Sequence, residues 1–116
     1  MKYLLLVYQD RENWDACPDQ DCFDYAAHVA QSGKMVAAEP LYPVETATTV
    51  RVRNGEVLRT DGPFAETKEM LAGFYLVDAD NEEEALKIAE GVPPAKYGSV
   101  EVRPVRQLNV PANIPG

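Results

Sequence analysis

The sequence predicts an α+β protein of the ferredoxin-like class, in which two β-α-β units flank a β-hairpin. The order of apolar and amphipathic segments is strand, helix, strand, hairpin, strand, helix, strand, and the length of 116 residues suits one domain. The two central strands are apolar at odd and even positions alike, so both of their faces require burial. Two helices cover only one face of such a sheet. We therefore expect a homodimer that packs sheet to sheet, as a dimeric α+β barrel.

The first β-α-β unit begins with a short apolar run at residues 3–8, which is followed by polar residues and is typical of a buried strand. A helix is predicted over residues 18–33, with Pro18 in its first turn and Gly33 at its end. His28 lies on the polar face of this helix. At 100° per residue, the opposite face, which we expect to be buried, collects Cys22, Phe23, Ala26, Val29, Ala30 and Gly33.

A short strand at residues 35–38 closes this unit, and a hairpin follows. Residues 48–53 and 56–60 are rich in β-branched side chains and are separated by Asn54-Gly55. Asn-Gly is the strongest short-range hairpin signal, because both positions of the turn require a positive φ. A two-residue turn there pairs Arg53 with Glu56 and Val52 with Val57.

The second β-α-β unit repeats the pattern of the first. Residues 73–77 form an apolar strand, and Asp80 or Asn81 is placed to cap a helix over residues 81–91. The apolar stripe of this helix contains Ala85, Leu86, Ile88, Ala89 and Val92. Residues 99–105 alternate as the last strand.

Composition excludes several classes of function. The formal net charge of −8 opposes binding to nucleic acid and to anionic membrane surfaces. No apolar stretch approaches the roughly 20 residues of a membrane span, so we expect a cytoplasmic protein. Cys17 and Cys22 are accompanied by a single histidine, which leaves no metal site. Free thiols are favoured over a local disulfide, which stays open as an alternative.

One segment carries more information than the rest. Residues 60–69 contain the turn tripeptide Asp61-Gly62-Pro63, and the string DGPFAETKE resembles the DGPF-domain family of the YCII-related superfamily. MKYLLLVY, TATTVRVR and SVEVRPV extend the resemblance over residues 1–106, which leaves residues 107–116 as an extended C-terminal tail.

The resemblance implies ferredoxin-like protomers that form a dimeric α+β barrel, with a sigma factor of stress signalling as a partner of some members. The wider superfamily includes one dechlorinating enzyme, and some of its proteins have a His–Asp pair that is proposed for acid–base chemistry. The position of that histidine falls near Asp21 in this chain, whereas His28 lies closer to Gly33. The histidine of that pair therefore does not transfer to this chain, and a role for His28 stays open.

Two hypotheses of function follow. The first is a regulatory or small-ligand-binding dimer without cofactor or metal. Its expected ligand-binding residues are Tyr8, Asp61, Gly62, Phe64, Glu66, Lys68 and Tyr75. The second is a cofactor-free enzyme in which Asp61 acts as general acid or base in a cleft at the side of the dimer. Asp61 could instead cap the turn that it begins.

Overall fold

The computed structural model describes residues 1–109, so the C-terminal part of the predicted tail, residues 110–116, lies outside the described residues. The strands are β1 (Lys2–Gln9), β2 (Met35–Pro40), β3 (Thr48–Arg53), β4 (Glu56–Asp61), β5 (Met70–Asp78) and β6 (Ser99–Pro104). The helices are α1 (Asp19–Gln31) and α2 (Glu82–Gly91), and two short 3₁₀ helices span Val44–Thr46 and Pro93–Lys96.

The main sheet has the order β2-β5-β1-β6, and every neighbouring pair is antiparallel. Each helix connects two strands that are not neighbours, so one strand lies between the two strands of each β-α-β unit. This is the ferredoxin-like arrangement, and the predicted fold class is confirmed. Among residues 1–109, no helix is long and apolar enough to span a membrane.

The core lies between the sheet and the two helices. In β1 the odd-numbered side chains Tyr3, Leu5 and Val7 are buried, as the two-residue period of a strand requires. They pack with Tyr75 and Val77 of β5. The remaining buried members of this core are Val29, Ala79, Ala85, Ala89 and Val92.

The other face of the sheet carries the even-numbered side chains of β1. Leu4, Leu6 and Tyr8 are half-buried there, and Leu76 of β5 stands opposite Leu4. Both faces of the central strands are thus apolar, as their sequence indicates, but only one of them is covered by helices. We call this second surface the open face.

β3 and β4 form a separate two-stranded sheet. The turn is the predicted one, with φ of 52° at Asn54 and 80° at Gly55, and the predicted cross-strand pairs are present. Three valines on one face are strongly exposed: Val50 (59%), Val52 (59%) and Val57 (61%). The radius of gyration of 16.1 Å exceeds the roughly 13 Å expected for a compact chain of this length, because the hairpin stands away from the main sheet.

Both helices are present, with small differences from prediction at their ends. Pro18, predicted in the first turn of α1, is its N-cap. Asn81, one of the two predicted caps, caps α2 by accepting a hydrogen bond from the Glu84 N–H. The predicted buried face of α1 is wrong in part: Phe23 is 70% exposed, and Ala30 and Gly33 are exposed as well. Tyr25 takes the core position instead: its hydroxyl donates to the Ile88 carbonyl of α2 at 2.7 Å.

Candidate functional site

A groove of about 600 Å³ lies between α1, the connection from β1 to α1, and the adjoining ends of β2 and β5. It is of the size that small-molecule sites commonly have. The residues that line it are Val7, Gln9, Trp14, Asp15, Cys17, Pro18, Asp19, Cys22, Phe23, Ala26, Ala38, Glu39, Pro40, Leu41, Ala72, Gly73, Phe74, Tyr75 and Pro94.

The connection from β1 to α1, residues 10–18, is held in place by local hydrogen bonds. Asp10 Oδ1 accepts from the backbone N–H of Asn13 at 2.9 Å and from its side-chain amide at 3.0 Å. The buried amide of Gln9 donates to the Asn13 carbonyl at 3.0 Å. An aspartate that bonds to a backbone N–H a few residues later is a common device for fixing a turn. These bonds fix the turn that precedes Trp14 at the mouth of the groove.

The opposite wall depends on a close approach of two backbones. In register, Pro40 of β2 faces Gly73 of β5. A Cβ atom on Gly73 would lie 2.9 Å from the carbonyl oxygen of Glu39, a distance that real Cβ atoms essentially never show. Glycine at this position lets the end of β2 come close to β5 and brings Glu39 to the edge of the groove.

The charge of the groove has one sign. Three carboxylates line it, those of Asp15, Asp19 and Glu39, whereas no Lys, Arg or His is among the described residues of its lining. Trp14, Phe23 and Tyr75 supply aromatic surface to the same groove. This arrangement repels anionic ligands and attracts neutral or cationic ones that can donate hydrogen bonds.

Two groups in the groove have raised pKa values. Burial raises the pKa of Tyr75 to about 12, and the nearby thiols of Cys22 and Cys17 add to the effect. Burial also raises the pKa of Cys22 to about 12, with a further contribution from its hydrogen bond with Cys17. The two sulfur atoms are 3.5 Å apart and both cysteines are free. Both groups are therefore neutral at neutral pH.

Two of the seven predicted ligand-binding residues lie in the main sheet. Tyr75 lines the groove and packs edge to face against Tyr25, with ring centroids 6.4 Å apart. Tyr8 lies on the open face, where its hydroxyl donates to Glu101 Oε1 at 3.2 Å. The structure therefore does not bring these two tyrosines together.

The other five lie at the end of β4 and in the loop that follows it, and none of them lines the groove. Gly62 has a φ of +98°, its N–H donates to the Ala47 carbonyl at 2.7 Å, and its carbonyl accepts from Thr49 Oγ1 at 2.8 Å. Phe64 is 79% exposed. The remaining three, Asp61, Glu66 and Lys68, are exposed as well.

Most residues of the groove were not predicted from the sequence as site residues. Trp14, Asp15 and Asp19 come from the connection after β1 and from the start of α1, and Glu39 comes from the end of β2. One signal was available: Trp14 is the only tryptophan in the chain and stands in a loop between polar residues. An indole in a loop is often part of a binding site, because it offers a large apolar surface with one polar edge.

Within residues 1–109, no group of three or more His, Cys, Asp or Glu side chains is arranged to hold a metal ion. The three carboxylates of the lining are instead available to accept hydrogen bonds from a ligand.

Comparisons with known proteins place this geometry in context. An uncharacterized protein, R00369, of Rhizobium meliloti (strain 1021) is 37% identical over 124 residues, which cover 99% of each chain. A solved structure of 5-chloro-2-hydroxyhydroquinone dehydrochlorinase from Burkholderia phenoliruptrix AC1100, in complex with 2,5-dihydroxybenzoquinone, has the same fold. Its TM-score is 0.56 at 14% identity, and the match covers 92% of this chain and 95% of the other. The YCII-related domain matches residues 1–109, and the chain belongs to that family.

Proposed function

We propose that this protein is a dimeric small-molecule-binding protein, and that the groove beside α1 takes a neutral or cationic aromatic ligand with hydroxyl or amine donors. The observation that carries the proposal is the composition of the groove. Aromatic side chains and three carboxylates line one cavity of about 600 Å³, without a cationic residue among its described lining.

Each part of the lining contributes a different interaction. Trp14 and Phe23 offer flat apolar surface, against which an aromatic ring gains contact area at little cost in conformational entropy. Asp19 and Glu39 accept hydrogen bonds from hydroxyl or ammonium groups, and such charge-assisted bonds are stronger than bonds between neutral groups. An anion of the same shape would be repelled by the same carboxylates.

The dehydrochlorinase that shares the fold was solved with 2,5-dihydroxybenzoquinone. This supports only the size and ring shape of the proposed ligand, and the preference for neutral or cationic molecules rests on the carboxylates of the groove. The DGPFAETKE string supports assignment of this chain to the DGPF group within its family.

Dimer formation through the open face is part of the proposal. Leu4, Leu6 and Leu76 leave an apolar strip on that face of the sheet, and apolar patches of this kind commonly mark protein interfaces. The hairpin gives a second reason. A two-stranded sheet is marginally stable alone, and the exposed valines of β3 and β4 become buried if a second subunit packs on them.

The binding experiment uses three aromatic molecules of similar size and different charge. Hydroquinone is neutral, tyramine is cationic and para-hydroxyphenylacetate is anionic. Each is titrated into the full chain while the fluorescence of Trp14 is followed, because this residue is the single tryptophan and lies in the groove. We expect tyramine and hydroquinone to change the emission at lower concentrations than the anion does.

Charge variants test the role of the carboxylates. Asp19→Asn or Glu39→Gln removes one negative charge from the lining. Each variant should weaken the binding of cationic tyramine by about 1 kcal/mol, or roughly five-fold in Kd. Glu82→Gln on α2 is the matched control, since Glu82 is exposed and lies outside the groove. The proposal is refuted if the anion binds as well as the cation, or if the control has the same effect as the groove variants.

Catalysis is the second candidate function. The observation in its favour is the hydrogen bonding around Gly62, which fixes the backbone next to Asp61 through Ala47 and Thr49. A general acid or base needs such fixed geometry. Asp61 is exposed in the single subunit, so this function requires a partner subunit to complete a cleft around the carboxylate.

Chloride release from a chlorinated hydroquinone tests the catalytic candidate. Activity in the wild type that is lost in Asp61→Asn, with an unchanged melting temperature, supports it, because asparagine retains the shape and the turn-forming ability of aspartate. Activity that survives in Asp61→Asn assigns the chemistry to another residue. No chloride release removes this reaction as a candidate.

A regulatory role is the third form of the proposal and rests on the sequence resemblance. In that case the dimer docks a sigma factor as its partner. Co-purification of a purified sigma factor with the wild-type dimer tests it, and the absence of a complex at micromolar concentrations of both proteins refutes it.

A further inference from the structure

We propose that Cys17 and Cys22 form a peroxide-reactive dithiol that closes to an intramolecular disulfide at the wall of the groove. The two sulfur atoms lie 3.5 Å apart in the reduced protein, both thiols are half-exposed, and both residues line the groove. A small oxidant that enters the groove therefore meets both thiols at once.

The local backbone favours closure. Cys17 immediately precedes Pro18, the N-cap of α1, and Cys22 lies in the first turns of that helix. Only four residues separate them, so little chain entropy is lost when the ring closes. The sulfur atoms are already in contact at 3.5 Å, and Cys17 lies outside the helix, so helical hydrogen bonds do not fix its backbone during the approach to bonding distance.

The two cysteines have different roles in the reaction. Burial and the hydrogen bond with Cys17 keep Cys22 protonated at neutral pH, which makes Cys22 the poorer nucleophile. The Cys17 thiolate therefore attacks one oxygen of a peroxide, the O–O bond breaks, and a sulfenic acid forms. The other oxygen leaves as hydroxide or alkoxide and takes up the proton that the Cys17 thiol released, which gives water or alcohol.

The second step forms the disulfide. Cys22 sulfur attacks the sulfenic sulfur of Cys17, the S–O bond breaks, and the departing hydroxide takes the Cys22 proton and leaves as water. Two thiols are oxidised by two electrons in total, and one hydroperoxide is reduced. A dithiol reductant then reduces the disulfide back to two thiols and is itself oxidised to a disulfide, so the site can cycle in a reducing compartment.

The disulfide changes the groove as well as the cysteines. It ties residue 17, at the end of the β1–α1 connection, to the body of α1, and Trp14 stands three residues earlier in the same connection. Oxidation therefore alters the surroundings of Trp14, and its fluorescence reports closure without any ligand.

The experiment treats the reduced full chain with one equivalent of hydrogen peroxide and then with iodoacetamide. The expected product is a chain that is not covalently linked to another chain, that iodoacetamide has not modified, and whose intact mass is lower by two hydrogen atoms. Its yield should not depend on protein concentration, and dithiothreitol should restore the original mass. The chain has only these two cysteines, so the mass assigns the disulfide without ambiguity. The Trp14 emission should change with the same time course.

Single variants serve as matched controls for one another. Cys22→Ser should stop at a sulfenic acid on Cys17 that dimedone traps, whereas Cys17→Ser should react roughly ten-fold more slowly at neutral pH. The proposal is overturned if both thiols remain alkylatable after treatment, if only covalently linked dimers form, or if the wild type gains oxygen atoms without losing two hydrogens. Equal rates for the two variants would overturn the assigned roles.

Discussion

Leu5 and Leu6 are neighbours in β1 whose side chains point to opposite faces of the sheet. The same substitution should therefore prevent folding at one position and prevent dimer formation at the other. Leu5 is fully buried under the helices (0% exposed). Leu5→Glu loses about 2–3 kcal/mol of apolar burial and adds a desolvation penalty of several kcal/mol for the carboxyl group. The sum approaches the whole stability of a small domain, which is about 5–15 kcal/mol. We expect Leu5→Glu to be unfolded or close to it.

Leu6→Glu should leave the subunit folded and prevent the proposed dimer. Leu6 is half-buried on the open face, so the single subunit loses only about 1 kcal/mol. In a symmetric dimer the change occurs twice, and each unpaired carboxylate at the interface costs roughly 3 kcal/mol or more. That total removes most of the about 8 kcal/mol that holds a micromolar dimer. Leu6 is a better site than Leu4, because Leu6 faces Glu101 whereas Leu4 faces Arg103, which would neutralise the new charge.

The assay is light scattering coupled to size exclusion, together with circular dichroism. We expect the wild type at twice the chain mass, Leu6→Glu as a folded monomer and Leu5→Glu without a cooperative thermal transition. Leu6→Met, which keeps apolar character and volume, should remain dimeric. A wild type that is monomeric at high micromolar concentration, or a Leu6→Glu variant that stays dimeric, would show that the open face is not the interface.

Three further predictions concern single positions. Gly55→Val should lower stability by about 1–2 kcal/mol, because a β-branched residue resists the φ of +80° in the turn; Gly55→Asn is the control, and equal melting temperatures would contradict the turn. Gly98→Ala should lower the free energy of unfolding in urea by about 1–3 kcal/mol, since its Cβ would overlap the Tyr8 carbonyl oxygen; an unchanged midpoint would contradict that close approach. Burial raises the pKa of Tyr75 to about 12, so the folded state binds this proton more tightly than the unfolded one, and stability should fall by up to about 2 kcal/mol as pH rises from about 10 to 12. Tyr75→Phe should show a smaller loss over this range, and identical pH profiles would refute the assignment.

The fold was predictable from local and periodic signals. Asn54-Gly55 between β-branched runs predicts the hairpin and its register, and both are confirmed. Asn81 predicts the start of α2 through its cap, which the Glu84 N–H completes. Such signals depend on residues close in sequence, so a single sequence contains them.

The groove was not predictable in the same way. Trp14, Glu39 and Tyr75 are far apart in sequence, and they line one cavity because the strand order places β2 beside β5 and because Gly73 admits a close backbone approach. The side of α1 on which Phe23 lies was also predicted wrongly. Phe23 and Tyr25 are two residues apart and therefore lie about 200° apart around α1. The structure places the Tyr25 side of the helix against the core, where its hydroxyl reaches the Ile88 carbonyl, and leaves Phe23 to line the groove.

The hairpin of β3 and β4 has a consequence for folding cooperativity. Its two strands bond to each other and form a sheet of their own, and every residue of β4 is exposed. In a lone subunit the hairpin therefore opens and closes without disturbing the core, as a local unit of low free energy. Its amide protons should exchange with solvent much faster than those of β1 and β5. If a second subunit packs on its valines, the same amides become protected, and the protection rises with protein concentration by mass action. Amide exchange in the hairpin thus reports dimer formation without any added label.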